Sequence, residues 1–412
     1  MPRETLRRAL YGAALTLLSC GEWQVSEGPV NGGGGSGPEP TACAIDTTAV
    51  APSAAPRGLH VVGNELRDGS DQRLVLRGVN RSGSEYTCMR AQGFFDGPGF
   101  GDGAEESVRA MAAWNINAVR VPLNESCWLS IGGAPVNFSG ENYKAAIVAY
   151  VELLQRYGLV PILELHRAAP GNLPAEELQP MPNADNTPRF WTDVAETFAD
   201  NSGVIFELYN EPFPDFNRDT AAAWSCWRDG CEVSRAGIDP GDTAPRTYMA
   251  AGMQSLVDAV RDAGSSHVIL LGGVQYSNAL TRFLEYVPDD PLQQLGAAWH
   301  VYNFNACRDA SCYEGVPAAV AREFLVVATE VGQNDCEGEA FLSPLLDFLE
   351  ANAIGRLAWS WNAFGACTPE DRRLHTGQPW SLVQSYTCPE PNGDYAQIFY
   401  DHLESLRQER TW

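Results

Sequence analysis

The chain has 412 residues, 44% of them hydrophobic, enough for a large core, and its 52 Asp and Glu outnumber 28 Lys and Arg for a formal net charge of -24. So acidic a surface repels phosphate backbones and anionic membranes, which argues against nucleic acid as a partner and suits an uncharged substrate. Eleven cysteines point to an oxidising compartment, and none has zinc-site spacing: Cys226/Cys231 and Cys307/Cys312 are each five apart, with no paired CxxC and no nearby His cluster.

In chain order, residues 1–20 read as a secretory signal peptide. Arg3, Arg7 and Arg8 precede an uncharged run from Ala9 to Ser19, too short to span a bilayer. Its end, Leu17-Leu18-Ser19-Cys20, resembles a bacterial lipobox, in which Cys20 would be lipidated and become the mature N-terminus; the alternative is an ordinary signal with Cys20 unmodified. Lipidation would leave ten of the eleven cysteines, an even number. The expectation is an exported protein, extracellular or held at the outer membrane or cell surface as a lipoprotein. Residues 21–57, with GPVNGGGGSGPEP and AVAPSAAP, read as a flexible Gly/Pro/Ala linker, and residues 58–412 as the folded unit.

From Leu59, LHVVGNELRDGSDQRLVLRG predicts a β-hairpin with Asp68-Gly69 near its turn. Apolar runs then recur at 73–80, 117–123, 159–166, 204–211, 267–273, 296–302, 325–332 and 356–362. Segments of helical period lie between them, most clearly at 141–158, 187–200, 246–264 and 339–353, and 396–409 follows the last strand. Near-continuous apolar strands with helical crossovers imply a parallel sheet, and eight such units predict an α/β fold, a (β/α)8 TIM barrel. Its functional residues should gather at the C-terminal ends of the strands.

Those ends are polar. The second run carries Arg120, the third His166 and the fourth Asn210-Glu211; the sixth ends in His300 and Tyr302, the seventh in Glu330, and the eighth carries Trp361. Singly, each has a plain structural explanation: a satisfied histidine, a buried ion pair, or, for Trp361 and Trp359 two residues before it, a barrel filler. Jointly, polar groups from six strands converge on one rim, where they are costly unless used or paired. Glu164 and Glu207 also face inward but sit deeper, as structural carboxylates of a lower layer. Glu211 and Glu330, 119 positions apart, would face each other across the barrel mouth. Two opposed carboxylates suggest glycosidic bond cleavage, with one group protonated and one ionised. Arg120 would hold one as the carboxylate, and Tyr302 would donate a hydrogen bond to it.

LYNEP, ATEVG, NAVRVP and LELH, together with HVY and WSWN, resemble glycoside hydrolase family 5, the cellulase family, over roughly residues 58–410. The resemblance implies that Glu211 is the general acid/base and Glu330 the nucleophile of a retaining reaction. It implies that Asn210 binds the sugar 2-hydroxyl, that Arg120 and Tyr302 hold Glu330, and that His166 and His300 line the same subsite. Trp361 would be the platform beneath the sugar ring. The resemblance implies no metal and no organic cofactor; the substrate would be a β-linked polysaccharide or oligosaccharide, cleaved by a monomer. An endo-β-1,4-glucanase is the expected activity, with a β-mannanase or exo-acting β-glycosidase as the alternative. A surface glycan-binding protein on a degenerate barrel is the reading from another class, and it predicts loss of a catalytic carboxylate.

The loops after the strands set which glycan fits. Residues 81–104 are rich in Gly and aromatics, 213–245 carry Trp224 and Trp227, and 363–395 carry Trp380. These tryptophans are either outer sugar platforms or loop packing. Cys88 and Cys127 follow neighbouring strands and are the best pairing; Cys226–Cys231 and Cys307–Cys312 could close small loops. Cys336, Cys367 and Cys388 belong to later loops, and Cys43 has no assigned partner.

Overall fold

A computed structural model describes residues 43–99, 101–238, 242–335, 339–364 and 380–407. The lipobox Cys20, the leader and the first part of the linker lie outside these residues, as do Cys336 and Cys367.

Twelve strands are present among the described residues. A hairpin of β1 (His60–Val62) and β2 (Glu65–Arg67) comes first. Eight parallel strands then close a barrel in chain order: β3 (Arg77–Asn80), β4 (Ala118–Asn124), β5 (Val160–Arg167), β6 (Ile205–Glu207), β9 (Ile269–Gly272), β10 (Leu295–Tyr302), β11 (Leu325–Gly332) and β12 (Gly355–Ala358). Each coincides with one of the eight apolar runs.

The predicted helices form at Glu141–Arg156, Thr187–Thr197, Glu339–Ala351 and Gly393–Ser405. The expected helix at 246–264 forms only over Met253–Asp262. Its first residues are instead β8 (Thr247–Met249), paired antiparallel with β7 (Glu232–Ser234) in the loop after β6. Gly252 explains the break: a Cβ there would stand 2.3 Å from the Arg228 carbonyl oxygen, so the chain is pressed against that loop before the helix begins.

Two cores result. The barrel interior is filled by Ala118, Val160, Ile162, Ile205, Leu270, Ala298, Val327 and Leu357, and the hairpin region adds Leu59 and Leu66 to it. Leu59 N–H donates to the Ser202 carbonyl, Val61 N–H to Gln294 Oε1, and Asn64 Nδ2 to the Ala321 carbonyl. Those partners precede β6, β10 and β11, so the hairpin plugs the amino-terminal mouth. The larger core lies between the strands and the helices. The hairpin turns at Gly63-Asn64, where Gly63 has φ 63°, and not at Asp68-Gly69. Asp68-Gly69 belongs to a following turn closed by an Arg67–Arg73 bridge.

Residues 43–57, expected as the end of the flexible linker, run along the barrel instead. Ser53 and Ala55 N–H groups donate to the carbonyls of Arg156 and Gln155, and Ala44 and Ile45 N–H groups to Glu390 Oε1. A Cys43–Cys388 disulfide anchors the segment, and the compact unit accordingly starts at Cys43. The expected pairs Cys88–Cys127, Cys226–Cys231 and Cys307–Cys312 are all formed.

Candidate active site

The carboxyl end of the barrel is organised by one buried cation. Arg120, on β4, has no solvent exposure. Its Nε and one Nη2 hydrogen bond the two oxygens of Glu207, each at 2.9 Å. Nη1 donates to Glu330 Oε1 at 2.8 Å and to Asn80 Oδ1 at 2.9 Å, and Nη2 also reaches Asn210 Oδ1 at 2.8 Å. All five guanidinium donors are therefore engaged. Glu164 lies 3.4 Å away. Glu164 and Glu207 thus form the lower carboxylate layer expected of them. Burial pushes the Glu207 carboxyl up, but Arg120 and His300 outweigh it and hold it below its usual range. At Glu164 burial prevails over Arg120, and its carboxyl lies well above the usual range.

Above this layer, Glu330 is gripped at both oxygens. Arg120 holds Oε1, and the Tyr302 hydroxyl donates to Oε2. The β10–β11 register slips between Ala298 and His300, which brings His300 opposite Glu330 and Tyr302 opposite Gly332. Gly332 is required there, because a Cβ would lie 2.4 Å from Tyr302 Cε1. Burial, then the charge of Glu330, raises the Tyr302 pKa well above 10, so the hydroxyl stays a donor.

Glu211 follows β6 by four residues, its chain still tied to the barrel through Asn210 N–H to the Leu165 carbonyl. Its Oε1 is 3.1 Å from His300 Nδ1, and the same nitrogen is 3.5 Å from Glu330 Oε2. One oxygen of each carboxylate and the imidazole all lie within 4.8 Å of one another. The sequence expectation that two distant glutamates share one space is met. Their environments differ: the Glu330 side chain is 4% exposed and that of Glu211 20%. Burial alone would lower the His300 pKa, but Glu330, Glu207 and Glu211 drive it up to about 9. This trio is the one cluster of three potential metal ligands among the described residues. A protonated imidazole has no lone pair to offer, so the set is poorly suited to an ion.

His166, at the end of β5, hydrogen bonds Glu164 Oε2 through Nδ1 at 3.1 Å. Burial lowers its pKa to about 4, so the ring is neutral. It stacks on Trp359, with centroids 5.5 Å apart and planes inclined by 15°.

Trp361 does not reach this site. It is fully buried on the helix side, edge-on to Trp114 at 5.1 Å, with Nε1 donating to Ser107. Strand pairing ends at Ala358, and beyond it the chain no longer keeps the two-residue alternation that placed Trp359 and Trp361 on one face. Trp359, named in the sequence only as a barrel filler, is the partly exposed ring at the site. Trp224 and Trp227 are loop packing: both are fully buried, bonded to Asp219 and the Gly272 carbonyl. Trp380 stays partly exposed beside Tyr302. Asn80, overlooked in the sequence, ends β3 as a polar residue after an apolar run, the same signal that marked the other strand ends.

A family model described as cellulase (glycosyl hydrolase family 5) matches residues 79–365, more than half the chain. Endoglucanase C of Evansella cellulosilytica is 23% identical over 74% of this chain, and endoglucanase MaCel5A of a Microbulbifer species 25% identical over 37%. The matches span only 36% and 26% of those two proteins. The fold is shared with a β-glucanase of Saccharophagus degradans (TM-score 0.59, 17% identity, 90% of this chain and 98% of that one). It is shared equally with a β-mannanase of Streptomyces thermolilacinus (TM-score 0.56, 20% identity, 84% and 97%). The family match over residues 79–365, which span the closed barrel from β3 to β12, shows that the chain belongs to the cellulase family, glycosyl hydrolase family 5.

Proposed function

We propose that the protein is a retaining β-glycan hydrolase, an endo-β-1,4-glucanase, with Glu330 as nucleophile and Glu211 as acid/base. The observation that supports this most is that one oxygen of Glu211 and one of Glu330 lie within 4.8 Å of each other. A retaining pair stands about 5–5.5 Å apart, whereas inverting pairs leave about 6.5–9.5 Å for a water. Glu330, fixed at both oxygens, attacks the anomeric carbon while the bond to the leaving oxygen breaks. Glu211, its Oε1 engaged by His300, delivers a proton to that oxygen from Oε2. Glu211 then takes a proton from water, whose oxygen displaces Glu330 and restores the carboxylate.

Asn210 has a defined orientation for its role. Arg120 can only donate, so Asn210 must turn Oδ1 toward it, and Nδ2 remains to donate to the sugar 2-hydroxyl. Trp359 on His166 supplies the apolar floor for the reacting ring, the role expected of Trp361. The endoglucanase names of the relatives favour a glucan over mannan. The test is Glu330→Gln assayed on soluble glucan, mannan and xylan: hydrolysis should collapse while glycan binding persists, and unchanged turnover would reject the nucleophile. Mannan as the preferred wild-type substrate would move the reading to a β-mannanase.

We also infer, from the Leu17-Leu18-Ser19-Cys20 end of the leader, that the enzyme is an exported lipoprotein. All eight cysteines of the described residues are paired, and such disulfides persist in an oxidising compartment. Mass spectrometry of the mature N-terminus tests it, and an unmodified Cys20 would end it.

A further inference from the structure

Beyond the groups that meet the reacting sugar, Phe216, Phe304 and Phe364 are exposed on loops that follow barrel strands, and Phe304 is the one stacked on Tyr302. Phe304 lies two residues past Tyr302 and is 48% exposed. It is nevertheless held in place. Its ring stacks on Tyr302 with centroids 5.2 Å apart and planes 24° from parallel. Trp380 meets Tyr302 at 5.5 Å and 70°, and Phe304 edge-on at 6.2 Å and 85°. Beside it Asn303 is fixed through Nδ2 to Asp335 Oδ2, and Tyr302 N–H donates to Asn305 Oδ1. The loop therefore presents a pre-positioned apolar ring, open on part of its surface, next to the residue that grips Glu330.

The barrel order says which sugar would meet it. The reacting ring rests on Trp359, which follows β12 and is backed by His166, on β5. Glu211 protonates the bridging oxygen from the end of β6, so the departing sugar lies over the sector of β6, β9 and β10. Phe304 follows β10.

We propose that Phe304, backed by Tyr302 and Trp380, is the platform that binds the first sugar of the leaving group and sets the preference for oligosaccharides over small aglycones. A pyranose ring has an apolar face of C–H groups that packs on an aromatic surface. The binding energy gained there is independent of the chemistry at the anomeric carbon. This rests on the reading of Glu211 as the acid.

The test compares two substrates of the sugar the glycan panel selects: a tetrasaccharide, which places sugars on the leaving side, and a disaccharide fluoride, whose leaving group is too small to reach Phe304. Phe304→Ala should raise KM for the tetrasaccharide about three- to tenfold, with kcat changed by less than about twofold. The glycosyl fluoride should be cleaved at wild-type efficiency to within about twofold, and Phe304→Trp should restore the tetrasaccharide KM. An unchanged tetrasaccharide KM overturns the inference. So does an equal loss on both substrates, which would mean that Phe304 only shields the Tyr302–Glu330 hydrogen bond. The acid assignment fails separately: Glu211→Ala must lose tetrasaccharide hydrolysis yet keep the first step on the activated glycoside, and a variant that loses both equally breaks that reading without touching the Phe304 ratio.

Discussion

His300 carries a charge whose thermodynamic consequence can be read from solution. It is fully buried and faces Glu330, Glu207 and Glu211, which raise its pKa from 6.5 to about 9 despite burial. Between those values the native state binds a proton that the unfolded chain has released, so stability must fall as pH rises. The contribution is fully present below about pH 6.5 and lost on passing through about 9. A difference of about 2.5 units corresponds to roughly 3 kcal/mol, lost at up to about 1.4 kcal/mol per pH unit. Guanidinium unfolding of the wild type and His300→Gln, disulfides intact, across about pH 6 to about 10 isolates the term, because the other groups titrate in both proteins. The wild-type advantage should shrink by roughly 3 kcal/mol over that range. An advantage constant to within about 0.5 kcal/mol would refute the reasoning, since it would mean that His300 is not held charged by its three carboxylates.

The two tryptophans after β12 should separate cleanly. Trp359→Ala is expected to lower kcat/KM on oligosaccharides up to about tenfold at nearly unchanged stability, whereas Trp361→Ala should cost about 3–5 kcal/mol of unfolding free energy while the folded fraction keeps its activity. Kinetics and denaturation on both variants check this, and the reverse pattern would return Trp361 to the sugar. Replacing Cys43 and Cys388 with Ser opens a crosslink between residues 345 apart, worth at most about 6 kcal/mol by chain entropy. The melting temperature should therefore fall, and the Ser53 and Ala55 amides should exchange faster; no change in either would show that the hydrogen bonds alone hold the segment.

The barrel was readable because its strands are apolar runs separated by segments of helical period, and Arg120, His166, Asn210, Glu211, His300, Tyr302 and Glu330 were readable because most of those runs close on polar residues. That rule works while the ladder lasts. It misled at Trp361, because alternation was extended three residues past Ala358, where pairing stops. The Cys43–Cys388 bond could not be read at all, since nothing local relates residues so distant. The hairpin misread had a local cause: Gly63-Asn64 and Asp68-Gly69 are both competent turns, and only packing against the barrel mouth selects the first as the β1–β2 connection.

The saturation of Arg120 bears on how such an enzyme can change. Its donors tie Glu330 to Asn80 and Glu207 on other strands and to Asn210 just past β6, so the geometry of the site is anchored in the barrel wall. Surface segments such as the one bearing Phe304 can then be exchanged, lengthened or reshaped for a new polysaccharide while the bond-breaking apparatus stays where it is.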